Sequence, residues 1–355
     1  MFGLFRYVFS LCVLFSHLYA KTPDGPAAYA VWGFYCLSGY LISLVLNEKY
    51  GFDRQGLKSF AVSRTLRLLP AYYAVCLLTV VVYSAFPDAA RTFTLKPEMP
   101  GSAIKWFHIV IPVWFRRGGL LPQFGAVRIE ILFYALMALG LARYKGVAWF
   151  WGGLSAIVCV VLTVGSASFS TRYATPWGAS IAFAVGVLIE HHRQSLPSWK
   201  SPWAILAAAV VWGGHIVLIR SIAPDEIFRW GLYTGLVASA VSIILLRDVN
   251  PREVPDWLAK ADQSLGDLSY PIYLCHWTVA VVASVVLGGK GRSSLTQLAL
   301  SFVAIHILSW VIFRYVETPG DRLRKRLTAR ATVKDCGGAG GRLLGRVPAS
   351  SRVVT

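Results

Sequence analysis

Across its 355 residues the chain is 56% hydrophobic and 14% aromatic, and only 15% of it is charged, against about 25% in a soluble domain. Several apolar runs reach the ~20 residues a spanning helix needs, and none alternates, which excludes an ordinary soluble domain and argues against an outer-membrane barrel. The formal charge of +18 is scattered between these runs, as cytoplasmic loops of membrane proteins require, and speaks against nucleic-acid binding.

The expected fold is all-α: a polytopic membrane helical bundle of about ten transmembrane helices, at 3–20, 28–46, 69–86, 128–143, 147–165, 178–190, 203–220, 229–246, 270–288 and 296–315. The first run, MFGLFRYVFSLCVLFSHLYA, carries Arg6 and His17 in otherwise apolar surroundings. Their spacing is close to three turns, so both side chains share one stripe, roughly 16 Å apart along the axis. Titratable groups at membrane depth are costly and face a bundle interior or a watery cavity. Imidazole is the commonest general base, so His17 leads the catalytic candidates; a hydrogen-bonded core histidine is the alternative. Arg6 is too far along the helix to touch it and serves another part of the path. No small-residue cleavage site precedes Lys21, so this run reads as a retained span.

The second span holds GFYCLSGYLI (33–42), where Gly33, Ser38 and Gly39 suit close helix packing. Next comes SRTLRLLPAYY (63–73). Arg64 and Arg67 share a helix face and suit a bidentate clamp on phosphates, with a basic membrane anchor as the alternative. Pro70 is expected to start or break the helix there. The stretch 101–125 is interrupted by Pro112, Gly118, Gly119 and Pro122 and suits a re-entrant segment. In EILFYAL (130–136), Glu130, Phe133 and Tyr134 lie on one face. Such a carboxylate orients an imidazole, fixes an arginine or accepts a proton, unless it only complements a helix N-terminus.

In LSYPIYLCHW (268–277), Ser269, Tyr273 and His276 fall along one face, with Tyr270 and Trp277 beside them. Hydroxyls and an imidazole so arranged suit an acceptor rich in hydroxyls, such as a sugar, and Tyr134 joins this set; an aromatic interfacial belt is the alternative. The six cysteines show no metal-ligand spacing and read as packing residues, so no metal and no bound cofactor is expected. Basic residues in 47–67, in 247–262 and after the last span put both termini on the cytoplasmic side; Arg91, Lys96, Lys105, Arg116 and Arg117 then lie outside, against the charge rule. The spans form one domain, 1–320. Residues 321–355 form a basic cytoplasmic tail, expected to be disordered beyond about 331.

Taken in order, Arg6 with His17, FYCLSGYLI, Arg64 with Arg67 before Pro70 and Tyr72, Glu130 with Phe133 and Tyr134, SYPIYLCH, and Glu317 with Pro319 resemble the acyltransferase-3 family of bacterial inner-membrane proteins. The resemblance runs from about Arg6 to Pro319. It implies an enzyme that uses cytoplasmic acyl-CoA, usually acetyl-CoA, as co-substrate to O-acylate a glycan, such as an exopolysaccharide, a lipopolysaccharide O-antigen or a lipid-linked saccharide. It implies too that His17 is the essential histidine with Arg6 its partner, and that Arg64 and Arg67 face the donor. Membrane lipid and polysaccharide-biosynthesis proteins are the implied neighbours. Two departures stand out. Ala126-Val127-Arg128-Ile129 replaces the Trp-Ser-Leu often found ahead of the glutamate, and no esterase-like domain follows the spans, so acyl delivery is expected within the membrane domain or through a separate protein. The competing reading is a transporter or flippase of a polar solute, whose path the same side chains line. The chain shows no internal repeat of the kind transporters often carry.

Overall fold

A computed structural model describes residues 1–93, 120–289 and 291–336, with side chains as far as Thr328. Most of the segment expected to be re-entrant and the glycine-rich end of the tail lie outside the described residues. Among the described residues all regular structure is helical: α1 (Gly3–Leu18), α2 (Pro26–Val45), α3 (Arg54–Ala85), α4 (Pro87–Phe93), α5 (Phe124–Leu136), α6 (Lys145–Val164), α7 (Phe169–Tyr173), α8 (Pro176–His191), α9 (Trp203–Ile222), α10 (Trp230–Leu246), α11 (Asp256–Val286), α12 (Leu295–Ile312) and α13 (Thr318–Cys336). Short π-helical turns extend α2 (Leu46–Tyr50), α5 (Met137–Leu141) and α12 (Phe313–Glu317). The basic segment after the last span is therefore helical as far as Cys336.

Each predicted span falls on one of these helices. Among the described residues seven helices are long and apolar enough to cross a membrane. The other three, α1, α8 and α10, have 16, 16 and 17 residues. At 1.5 Å per residue they reach about 24–26 Å, short of a hydrocarbon core of ~30 Å. The exterior is apolar: Leu77, Phe150, Ile157, Val217 and Ile307 are exposed. Polar side chains turn inward instead, with Thr79 bonded to Thr278 at 2.6 Å and Gln297 to the Ala280 carbonyl at 2.8 Å. That inversion is what lipid demands.

Pro70 neither starts nor breaks a helix: α3 runs through it unbroken, and Pro271 sits likewise inside α11. Proline is tolerated inside membrane helices more readily than in water, where its missing N–H and its ring end or kink a helix. The Tyr270 hydroxyl donates to the Leu68 carbonyl at 3.0 Å, and Gly320 of α13 lies beside the Leu66 carbonyl. Both helices therefore begin well before the spans expected at 69 and 270.

The helices alternate in direction, and polar ties mark the two ends. At one end the Met1 amine meets the Leu246 carbonyl, Asn47 Nδ2 the Ala142 carbonyl and Arg247 the Leu196 carbonyl. At the other end Arg220 meets the Asp24 carbonyl, and the Ala20 N–H donates to Arg292 O.

At the centre, α1 packs along α11. Gly3 and Gly266 make this possible, since a Cβ on Gly3 would stand 1.7 Å from the Asp262 carbonyl oxygen and one on Gly266 2.5 Å from the Gly3 Cα. Asp262 also accepts the Leu4 N–H at 2.9 Å, one of the free donors of the first turn. The packing expected of Gly39 is present too, a Cβ there meeting the Phe183 carbonyl oxygen at 2.3 Å. Gly3→Ala should therefore push α1 off α11 and lower the midpoint of thermal unfolding in detergent, at an overpacking cost of about 1–3 kcal/mol. Gly125→Ala, where a Cβ meets nothing within 4 Å, is the control. Equal unfolding midpoints in the two variants would refute the close approach.

Candidate functional site

The α1–α11 contact carries one polar group near each of its ends. His17 lies in the last turn of α1, and its Nδ1 is 2.9 Å from Nε2 of His276 on α11. His276 Nδ1 is in turn 2.9 Å from the Tyr273 carbonyl oxygen. His276 is fully buried, whereas His17 is only partly so. Trp277 stacks against the His17 ring at 5.2 Å between centroids. Over Trp277, 5.8 Å from its centroid, lies the guanidinium of Arg292 from the α11–α12 loop, which also donates to the Ser16 carbonyl at 2.9 Å. Partial burial holds this arginine below its ordinary pKa. The loop thus straps the end of α1 to α11.

Near the other end of α1, Arg6 stands beside Gly266 and within electrostatic reach of Arg67, Asp267 and Asp262. Arg64, on α3, lies over the rings of Phe60 at 5.6 Å and Tyr134 at 5.9 Å. Tyr134 donates its hydroxyl to Glu130, which also accepts from Ser38 Oγ. Glu317, from the π-helical turn, completes the cluster, under the influence of Arg67, Asp267 and Arg6. Among the described residues Arg6, Arg64 and Arg67 make no direct ion pair. Arg6 Nε, Arg64 Nε and Glu317 Oε1 are buried without a hydrogen-bond partner there. A buried polar atom left in this condition costs ~1–3 kcal/mol, which a ligand group bonding to it would recover. Three guanidiniums, Arg6 from α1 with Arg64 and Arg67 from α3, form a concentrated cationic end, suited to a polyanion.

The structure sorts the sequence candidates into two groups. Arg6, Arg64, Arg67, Glu130, Tyr134 and Tyr270 gather at the cationic end. His17 and His276 meet at the other. Glu130 does not orient the imidazole: its partners are Ser38 and Tyr134, and the neighbour of His17 is His276. Nor does it sit at a helix start, since the first turn of α5 contains no acid. The hydroxyls expected to face a sugar are engaged by backbone carbonyls, Tyr273 with Gln123 at 2.9 Å, Ser269 with Leu265 at 3.3 Å and Tyr270 with Leu68. Helical periodicity gave them a common face but not its partner. Sequence reasoning missed Arg292, Ser38 and Asp267. Asp267 alone carried a signal, as an acid beside an apolar run. Among the described residues no cluster of histidine, cysteine and carboxylate suits a metal ion.

The chain resembles known proteins over most of its length. The chain is 25% identical over 321 residues to the peptidoglycan O-acetyltransferase OatA of Listeria monocytogenes, an alignment covering 81% of this chain and 50% of the relative. It is 23% identical over 319 residues to the putative peptidoglycan O-acetyltransferase YrhL of Bacillus subtilis, covering 81% and 49%. The chain thus spans about half the length of the curated relatives it matches. No solved structure matches it significantly. A family model described as an acyltransferase domain matches residues 2–314, and the chain belongs to that family, acyltransferase-3.

Proposed function

We propose that this protein is a membrane O-acetyltransferase that takes its acyl group from cytoplasmic acyl-CoA and gives it to a hydroxyl of a glycan. The observation that carries this reading is that Arg6 and His17, on one stripe of α1 roughly 16 Å apart along the axis, join a cationic cluster at one end to an imidazole pair at the other. Coenzyme A has the same division. Its phosphates suit Arg64 and Arg67, with Arg6 alongside, and its flexible arm ends in the thioester. The basic residues of 47–67 and 322–326 support a cytoplasmic Arg6 end in a bacterial inner membrane. The acceptor then comes to His17 from the other side.

In the reaction, His17 takes the hydroxyl proton as the acceptor oxygen forms its bond to the thioester carbonyl carbon. The tetrahedral intermediate collapses, the carbon–sulfur bond breaks, and the departing coenzyme A thiolate takes the proton back from the imidazolium. An ester and free coenzyme A result, and His17 is restored.

The test is purified protein in detergent with acetyl-labelled acetyl-CoA. Peptidoglycan fragments are the first acceptor to try, since both relatives carry that substrate in their names. Alkali-labile label in the glycan is the expected outcome. Label remaining on coenzyme A with every glycan tried, together with saccharide uptake by vesicles containing the protein, would replace this reading with a transporter.

A further inference from the structure

We infer that His276 is a positioning residue for His17: its imidazole fixes which nitrogen of His17 is the base and holds that ring in place through the reaction. The inference deepens the transferase reading and rests on it.

The argument follows the hydrogen bonds from the backbone outward. A carbonyl oxygen only accepts, so the contact between the Tyr273 carbonyl and His276 Nδ1 places a proton on that nitrogen. In a neutral imidazole the other nitrogen, Nε2, is then an acceptor. Its neighbour at 2.9 Å, Nδ1 of His17, must be the donor. That leaves Nε2 of His17 with the free lone pair. One backbone carbonyl thereby sets the tautomer of two rings in series, and the base is Nε2. Burial supports the division of labour, for His276 is fully enclosed while His17 keeps some exposure. Trp277, stacked on His17 and lying under Arg292, limits the tilt of the ring.

An imidazole also suits this depth better than a carboxylate. A carboxylate would orient His17 equally well but would bury a charge within a span before any substrate arrives. A neutral ring provides the acceptor without that charge. When His17 takes up the hydroxyl proton, its Nδ1–H donor becomes cationic and the bond to His276 strengthens, which favours the transition state over the ground state.

The experiment compares His276→Gln with His276→Leu in purified, full-length protein, with acetyl-CoA titrated at fixed acceptor. An amide oxygen can accept the Nδ1–H bond, and a leucine cannot. His276→Leu should lower kcat roughly 10–100-fold with the KM for acetyl-CoA unchanged. His276→Gln should recover most of that loss. Wild-type turnover in His276→Leu, or an equal fall in both variants at normal abundance, overturns the inference. If His276→Leu does not accumulate, His276→Gln decides alone: a fall of more than about 100-fold at normal abundance and unchanged KM overturns the acceptor role. A wild-type protein that transfers no acetyl group would instead overturn the transferase reading, so the two failures are distinct.

Discussion

Replacing His17 by alanine should lower acetyl transfer by about 10²–10⁴-fold, the usual cost of removing a general base. The apparent affinity for acetyl-CoA should stay near wild type, because the groups assigned to its phosphates lie close to three turns away around Arg6. The protein should still accumulate in the membrane. The substitution removes one interhelical hydrogen bond, worth about 0.6 kcal/mol on average between membrane helices, and leaves His276 Nε2 without its donor. The α1–α11 seam survives, since Gly3 against Asp262 and the Leu4–Asp262 bond are at its other end. The check is glycan acetylation in cells at matched protein abundance, with donor titration on purified material. Near-wild-type acetylation in His17→Ala would remove His17 from the mechanism.

The sequence revealed this end of the site only in part, and for a physical reason. His17 and Arg6 stood out because a titratable side chain in an apolar run is costly, a property of one helix alone. His276 was visible as a polar residue on a face, but its partner lies 259 positions away on another helix. Periodicity gives direction along a helix and says nothing of the neighbour. Likewise spacing puts Tyr134 and Glu130, four apart on α5, on one face, whereas Ser38, the second donor to Glu130, reaches it from α2. Arg292 lies in a glycine-rich loop, where neither period nor hydropathy assigns a role. The helices were legible because lipid imposes length and composition on each span separately. Their starts at Arg54 and Asp256 were not, since each of these helices runs on through a proline, Pro70 or Pro271, that sequence rules read as a boundary.

Arg64 and Arg67 should govern the donor. Arg64→Ala and Arg67→Ala should each raise the KM for acetyl-CoA about 10–100-fold, since a hydrogen bond to a charged group is worth about 1.5–3 kcal/mol. Turnover at saturating donor should change far less, for neither residue contacts the imidazole pair. Arg67→Lys should already be harmful, because an ammonium cannot reproduce the planar fork that grips phosphate oxygens in pairs. For Arg64 the same change also sacrifices the guanidinium laid over Phe60 and Tyr134. These arginines make no direct ion pair among the described residues, and Arg64 keeps a buried Nε without a partner, as a group reserved for an anionic substrate does and a lipid-facing anchor does not. Unchanged donor affinity in both alanine variants would rule out the clamp, leave the pair as a membrane anchor, and place the phosphates of the donor elsewhere on the cationic end.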